Sequence, residues 1–163
     1  AQSIFEVLDA DSEVDAGSIE VRSAKGQFEF CDLSFSYQGS DKQVLSDINF
    51  TVDAGQTVAL VGSSGSGKSS LVNLIPRFYN LEQGSILLDG NNINEYSLSS
   101  LRQQIAIVSQ KVTLFNGSIF SNIAYGDLAG NSADQVKAAA KMANADKFID
   151  SFVCFFSFKV ELF

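Results

Sequence analysis

An α/β architecture, with an antiparallel β layer leading into a strand, a glycine-rich loop and a helix, is predicted by three observations on this 163-residue chain. Aromatic and aliphatic residues alternate through much of Ile19–Val52. An apolar, β-prone run, Thr57-Val58-Ala59-Leu60-Val61, leads directly into Gly62-Ser63-Ser64-Gly65-Ser66-Gly67-Lys68-Ser69. Beyond it, Ser70-Leu71-Val72-Asn73-Leu74-Ile75 has the apolar spacing of a helix packed on a sheet. An apolar content of 45% suits a globular chain, and the length suits one domain with a moderate core.

In chain order, Ala1–Asp9 sets Ile4, Phe5 and Leu8 on one helical face, and the acidic, glycine-containing stretch Asp11–Gly17 reads as a linker. The β layer follows, marked by Phe28 and Phe30, by Phe35 and Tyr37, and by Ile48, Phe50 and Val52; Gln38-Gly39-Ser40-Asp41 is the turn between strands. After the loop and its helix, Gly84-Ser85-Ile86-Leu87-Leu88-Asp89-Gly90 reads as a short strand running into an Asp-Gly turn. Arg102–Ser109 supplies a further strand, Gln104–Val108, which ends at Gln110. Ser132 with Gln135 forms a capping box for a helix through Ala143.

The loop fits G-x-x-x-x-G-K-[ST], the P-loop by which many ATPases and GTPases hold nucleotide phosphates. A triphosphate needs several inward-pointing N–H donors, and side chains at Gly62, Gly65 or Gly67 would obstruct that approach. Lys68 adds a mobile positive charge for the outer phosphates, Ser69 a hydroxyl for the accompanying Mg²⁺, and the helix start its positive dipole end. Glycine- and serine-rich stretches also serve as flexible linkers. The order strand, loop, helix is what favours phosphate binding and a P-loop NTPase core.

Ile86-Leu87-Leu88-Asp89 superficially has the form of an apolar strand ending in a Mg²⁺-binding carboxylate. Gly90 and Asn91 follow at once, so a hairpin turn is preferred over a metal site.

Composition excludes several classes. A net charge of −8 gives no electrostatic support for nucleic-acid binding or a general affinity for anionic lipid. With no histidine, imidazole catalysis is excluded within this sequence. Cys31 and Cys154 fit no metal-ligand spacing and suit a reducing compartment. The longest apolar stretch, Phe148–Phe158, carries Asp150 and falls short of the ~20 residues that span a bilayer, so these residues supply no membrane channel.

The order of elements resembles the nucleotide-binding domain of ABC transporters, particularly exporter-type half-transporters such as the bacterial lipid A flippases. The resemblance is carried by Phe35-Ser36-Tyr37, Val44-Leu45-Ser46-Asp47-Ile48, Gly55–Gly62, the P-loop itself, Arg77-Phe78-Tyr79, Gly84–Gly90 and Val108-Ser109-Gln110. It covers about residues 1–150, and it implies a P-loop core with an antiparallel β layer, truncated before the signature motif and the Walker B strand.

The resemblance implies ATP and Mg²⁺ as ligands, with Gly62, Ser63, Ser64, Gly65, Ser66, Gly67, Lys68, Ser69 and Ser70 around the phosphates. Tyr37 then stacks on the adenine ring, a contact of ~1–3 kcal/mol per base; the alternative is a plain aromatic strand residue. Gln110 corresponds to the Q-loop glutamine, which with Ser69 ligates the metal, the alternative being a polar strand end. Lys111–Asn122 would meet the coupling helices of a transmembrane domain, with Phe115 either an apolar anchor or core packing. A second nucleotide-binding domain is the other implied partner, at the cytoplasmic face of the inner membrane.

Residues 1–18 are expected to be the end of a transmembrane-domain extension and its linker, 19–150 a partial nucleotide-binding domain, and 151–163 a phenylalanine-rich tail that departs from the family. Five of the fourteen phenylalanines lie in that tail. The family would continue to a Leu-Ser-Gly-Gly-Gln signature, an Asp strand with its catalytic Glu, and a switch histidine, none of which stands in this sequence. No catalytic residue is therefore assigned, and the expectation is nucleotide binding without hydrolysis. A truncated or frame-shifted reading frame is expected, the alternative being a short product that packs its tail over the open strand edge. As to function, the alternative to a piece of a transport ATPase is a non-catalytic nucleotide-binding module docked on a transporter.

Overall fold

The aromatic alternation builds the sheet of the computed structural model, which describes Phe5, residues 12–109 and residues 113–151. Strands β1 (Phe28–Ser36) and β2 (Gln43–Val52) pair antiparallel across the predicted turn, where Ser40 N–H donates to the Tyr37 carbonyl at 3.0 Å. Strands β3 (Gln83–Leu88) and β4 (Asn91–Asn92) complete a four-stranded antiparallel sheet in the order β2-β1-β3-β4. Phe30 faces Phe50 across the ladder, and their rings stack at 4.2 Å, an aromatic pair that adds to simple burial.

Strict alternation would bury Phe30 and expose Leu33, yet both are buried. The register shifts between them on both sides of β1, and Asp32, at φ 46°, absorbs the extra residue. Its N–H donates to Asn49 Oδ1 at 2.8 Å. On the other flank the bulge brings the Asp32 carbonyl against Gly84, at φ 82°, where a Cβ would overlap it. Glycine is thus required there by space and by backbone conformation together.

One face of this sheet is closed by helices α1 (Lys68–Leu74) and α2 (Leu98–Gln103). Leu71, Leu74 and Leu101 join Phe30, Leu33, Phe35, Ile86 and Leu88 in one buried cluster. α1 ends in a Schellman arrangement: Arg77, at φ 56°, donates its N–H to the Leu74 carbonyl, and Phe78 donates to that of Asn73. α2 begins at Ser97, whose Oγ accepts the Ser100 N–H. Sequence periodicity put a strand from Arg102; the cap and the Leu98/Leu101 spacing make a helix through Gln103 instead.

The two apolar runs expected as strands, Thr57–Val61 and Gln104–Val108, form none. A parallel strand needs a neighbour to accept its hydrogen bonds, and among the described residues neither run has one. Both are consequently open, with Val61 93% and Val108 97% exposed. The unpaired apolar edge implied for Thr57–Val61 is thus found without the regular strand.

The Asp-Gly hairpin forms as expected, with Asp89 at φ 52° and Gly90 at φ 86° joining β3 to β4. The Asp89 carboxylate accepts N–H bonds from Lys25 (2.7 Å), Gly26 (3.1 Å) and Gln27 (3.0 Å). That set occupies it as a turn anchor, in agreement with the hairpin reading.

The acidic linker stretch is strapped to the body. Asp15 accepts the Leu98 N–H with both oxygens, at 3.1 and 3.0 Å; Ser18 and Ile19 donate to the Glu95 carbonyl; and Ile19 bridges Tyr96. Arg102 pairs in bidentate fashion with Glu13, at 2.6 and 2.7 Å, and also donates to the carbonyls of Pro76 (2.9 Å) and Arg77 (3.1 Å) beyond α1. Its guanidinium lies 5.4 Å from the Phe78 ring centroid. Of Ala1–Asp9 only Phe5 is described, in helical conformation and exposed.

The chain divides into two compact units, residues 1–107 and 108–163. In the second, α3 (Ile119–Ile123) starts at Ser118 and α4 (Ala133–Met142) at the predicted Ser132/Gln135 capping box, with α5 (Asp146–Asp150) after it. Ala124, Val136, Ala140 and Ile149 are buried. The tail from residue 152 lies outside the described residues. Among the described residues no helix is long and apolar enough to cross a membrane.

Two predictions follow from this packing. Gly84→Ala should cost about 1–3 kcal/mol through forced backbone strain, read as a lowered urea midpoint, whereas Gly39→Ala, with open space around it, should cost only its own φ penalty. The Arg102 hydrogen bonds and charge hold the Glu13 carboxyl below its ordinary 4.5. A depressed carboxyl stabilises the fold above its unfolded pKa, and that contribution is lost as pH falls through the folded value. The stability difference between the native chain and Glu13→Gln should therefore shrink as pH drops from 7 to below 4.5.

Candidate functional site

Gly62–Ser69 form a turn that runs into α1, with the Ser66 N–H donating to the Ser63 carbonyl at 3.2 Å. Lys68 folds over this turn: its ammonium donates to the carbonyls of Gly62 and Ser63, both at 2.8 Å, and to Ser66 Oγ at 3.2 Å. The charge therefore sits over the mouth of the loop, held by three neutral oxygen acceptors that an anion can replace. Ser69 is exposed beside it.

The glycines serve different ends. A Cβ on Gly62 would stand 2.5 Å from Ser66 Oγ and 3.9 Å from the Lys68 ammonium, inside the loop. Gly67, at φ 88°, lies against β2, where a Cβ would meet Leu45 Cδ2 at 2.6 Å and the Val44 carbonyl at 3.0 Å. A single reason, clearance for phosphate, had been expected for Gly62, Gly65 and Gly67; for Gly67 packing on β2 is the reason the geometry gives.

Gly67 is also the N-cap of α1, and no side chain caps it. Ser97, Ser118 and Ser132 each fill the corresponding position of α2, α3 and α4 with a hydroxyl that accepts a first-turn N–H. Among the described residues the first-turn donors of α1 thus have no side-chain acceptor, next to a lysine and an exposed hydroxyl. This donor set is chemically suited to an anion such as a phosphate group.

Tyr37 lies just past the end of β1 and reaches the same helix: its hydroxyl is 2.7 Å from Ser70 Oγ. Its ring packs edgewise on Phe35 (4.9 Å, 78°) and Tyr79 (5.1 Å, 83°). The structure therefore brings Tyr37 and Gly62–Ser70 together in the first unit. Gln110 lies outside the described residues, with Lys111 and Val112. Phe115 is 46% exposed and stacked on Tyr125 at 4.4 Å, so it is not buried in a core. Sequence reading had no role for Tyr79 beyond resemblance, because no local pattern announces which distant aromatic will meet Tyr37.

Residues 45–157 match the family profile described as ABC transporter. The ATP-dependent lipid A-core flippase of Pseudomonas aeruginosa is 55% identical over 151 residues, which are 93% of this chain and 25% of that protein. The protein of the same name from Haemophilus influenzae is 52% identical over 149 residues, 91% of this chain and 25% of its own length. A solved structure described as a bacterial Atm1-family ABC exporter with ATP bound gives a TM-score of 0.79 at 36% identity, covering 98% of this chain and 28% of the other. The chain thus spans about a quarter of the length of the curated relatives it matches. The expected P-loop core with its antiparallel β layer is borne out by these likenesses. On the family profile across 45–157, this chain belongs to the ABC transporter family.

Proposed function

We propose that the chain is the ATP-binding portion of an ABC-type exporter that energises movement of a lipid-like or hydrophobic substrate across a membrane. The observation that carries this reading is the glycine-rich loop Gly62–Ser69 with the Lys68 ammonium folded over it on neutral oxygens alone. Family membership supports a nucleotide as the anion, and the flippase relatives support a lipid-like cargo for the parent.

In this reading the loop N–H groups and Lys68 hold the phosphates, Ser69 and Gln110 hold Mg²⁺, and Tyr37 offers its ring to the adenine. When bound, Mg²⁺ would supply positive charge to offset the charge of the phosphates. Lys68 leaves its loop carbonyls for phosphate oxygens, exchanging neutral acceptors for charged ones. Residues 19–150 then serve as part of a nucleotide-binding domain, joined through 1–18 to a transmembrane domain. Further partners are a second such domain and, through 111–122 with Phe115, the transmembrane domain, at the cytoplasmic face of the inner membrane.

Calorimetric titration of the 163-residue chain with ATP and Mg²⁺ should show binding. Lys68→Ala should weaken it by about 10- to 100-fold, the equivalent of one charge-assisted hydrogen bond. Equal affinity in the variant would sink the site assignment. A malachite-green assay should detect no phosphate release that depends on Lys68, and release that does depend on it would overturn the non-hydrolytic reading of this chain.

A further inference from the structure

Helix α1 is anchored at its start in a way that α2, α3 and α4 are not. Those helices are fixed by their own N-cap serines, whereas α1 has glycine there. Its substitute lies outside the helix. Ser70, in the first turn and 6% exposed, meets the Tyr37 hydroxyl at 2.7 Å. Tyr37 in turn is braced by Phe35, a buried residue of β1, and by Tyr79, beyond the other end of α1.

This arrangement separates two parts of one side chain. The ring is positioned by aromatic contacts at the end of β1, while the hydroxyl reaches the residue that follows Lys68 and Ser69. A side-chain N-cap would consume first-turn N–H groups; a bond to Ser70 Oγ steadies the same turn and leaves them free. We infer that Tyr37 is a positioning residue for the phosphate loop, acting through its hydroxyl on Ser70, independently of any stacking by its ring. The inference deepens the nucleotide-binding reading and rests on it for the ligand, but not for the anchoring.

The test uses the 163-residue chain, Tyr37→Phe, Ser70→Ala and the double variant. The probes are ATP with Mg²⁺ and inorganic tripolyphosphate, which has no base to stack. Tyr37→Phe keeps the ring, so it should weaken both probes alike, by about three- to tenfold for one lost hydrogen bond. In the Ser70→Ala background the same change should have no further effect, because the partner is already gone. Without any ligand, amide exchange at Leu71, whose N–H closes the first turn on the Gly67 carbonyl, should quicken in Tyr37→Phe by a similar factor.

Unchanged tripolyphosphate affinity in Tyr37→Phe, with or without weaker ATP binding, would overturn the inference and leave Tyr37 as a stacking platform alone. A lowered melting temperature with unchanged affinity for both probes would make the hydroxyl merely structural, which also overturns it. If the unaltered chain binds neither probe, the nucleotide reading fails; exchange then decides the anchor separately, and unaltered exchange in Tyr37→Phe refutes it.

Discussion

Backbone groups that leave water must find partners, and the pairing of β1 with both β2 and β3 is where this chain meets that demand. The central position of β1 sets the rest. Its bulge at Asp32 re-aims Leu33 into the core, and that same distortion presses a carbonyl on Gly84 and so fixes the start of β3. The buried face then positions α1 and α2, because Leu71, Leu74 and Leu101 pack into the same apolar cluster as Phe30, Leu33, Phe35, Ile86 and Leu88. The phosphate loop, attached to α1 and packed through Gly67 on β2, inherits its place from this sheet. It does so although Thr57–Val61, which leads into the loop, forms no strand.

That inheritance explains how a loop with an open approach can still be ordered in its last residues. Three constraints meet at the first turn of α1: Gly67 against Val44 and Leu45, Leu71 in the core, and Ser70 against Tyr37. None of them uses the N–H groups that face the loop. Upstream, the turn is spanned by the lysine and by the Ser66 N–H bond to the Ser63 carbonyl, contacts that carry no competing negative charge. Rigid support beneath a site and replaceable contacts within it are what a binding loop requires.

The sequence made legible those features whose residue types are demanded locally. The P-loop spacing, the Asp-Gly hairpin at Asp89 and the Ser132/Gln135 box are each specified within a few residues, and local chemistry suffices to read them. The Asp32 bulge had a signal that pattern reading passed over: the aromatics change parity between Phe30 and Phe35. α2 also had one, a serine before Leu98 with Leu101 three residues on. Strand formation at Thr57–Val61 and Gln104–Val108 was misjudged because β-propensity describes a fit to neighbours, and among the described residues these runs have no neighbouring strand. Glu13 with Arg102, or Tyr37 with Ser70, could not be read at all, since side chains far apart in the chain carry no mutual label.

Arg102 joins two stretches that the chain order keeps apart. One planar group holds Glu13 on one side and the carbonyls of Pro76 and Arg77, just past the end of α1, on the other. Because a guanidinium is flat and its donors are fixed relative to one another, it cannot follow one set of acceptors without straining the other. Mechanically, the segment around Glu13 and the far end of the phosphate-loop helix therefore behave as two handles on one rigid plate, so that a force applied to either is felt at both.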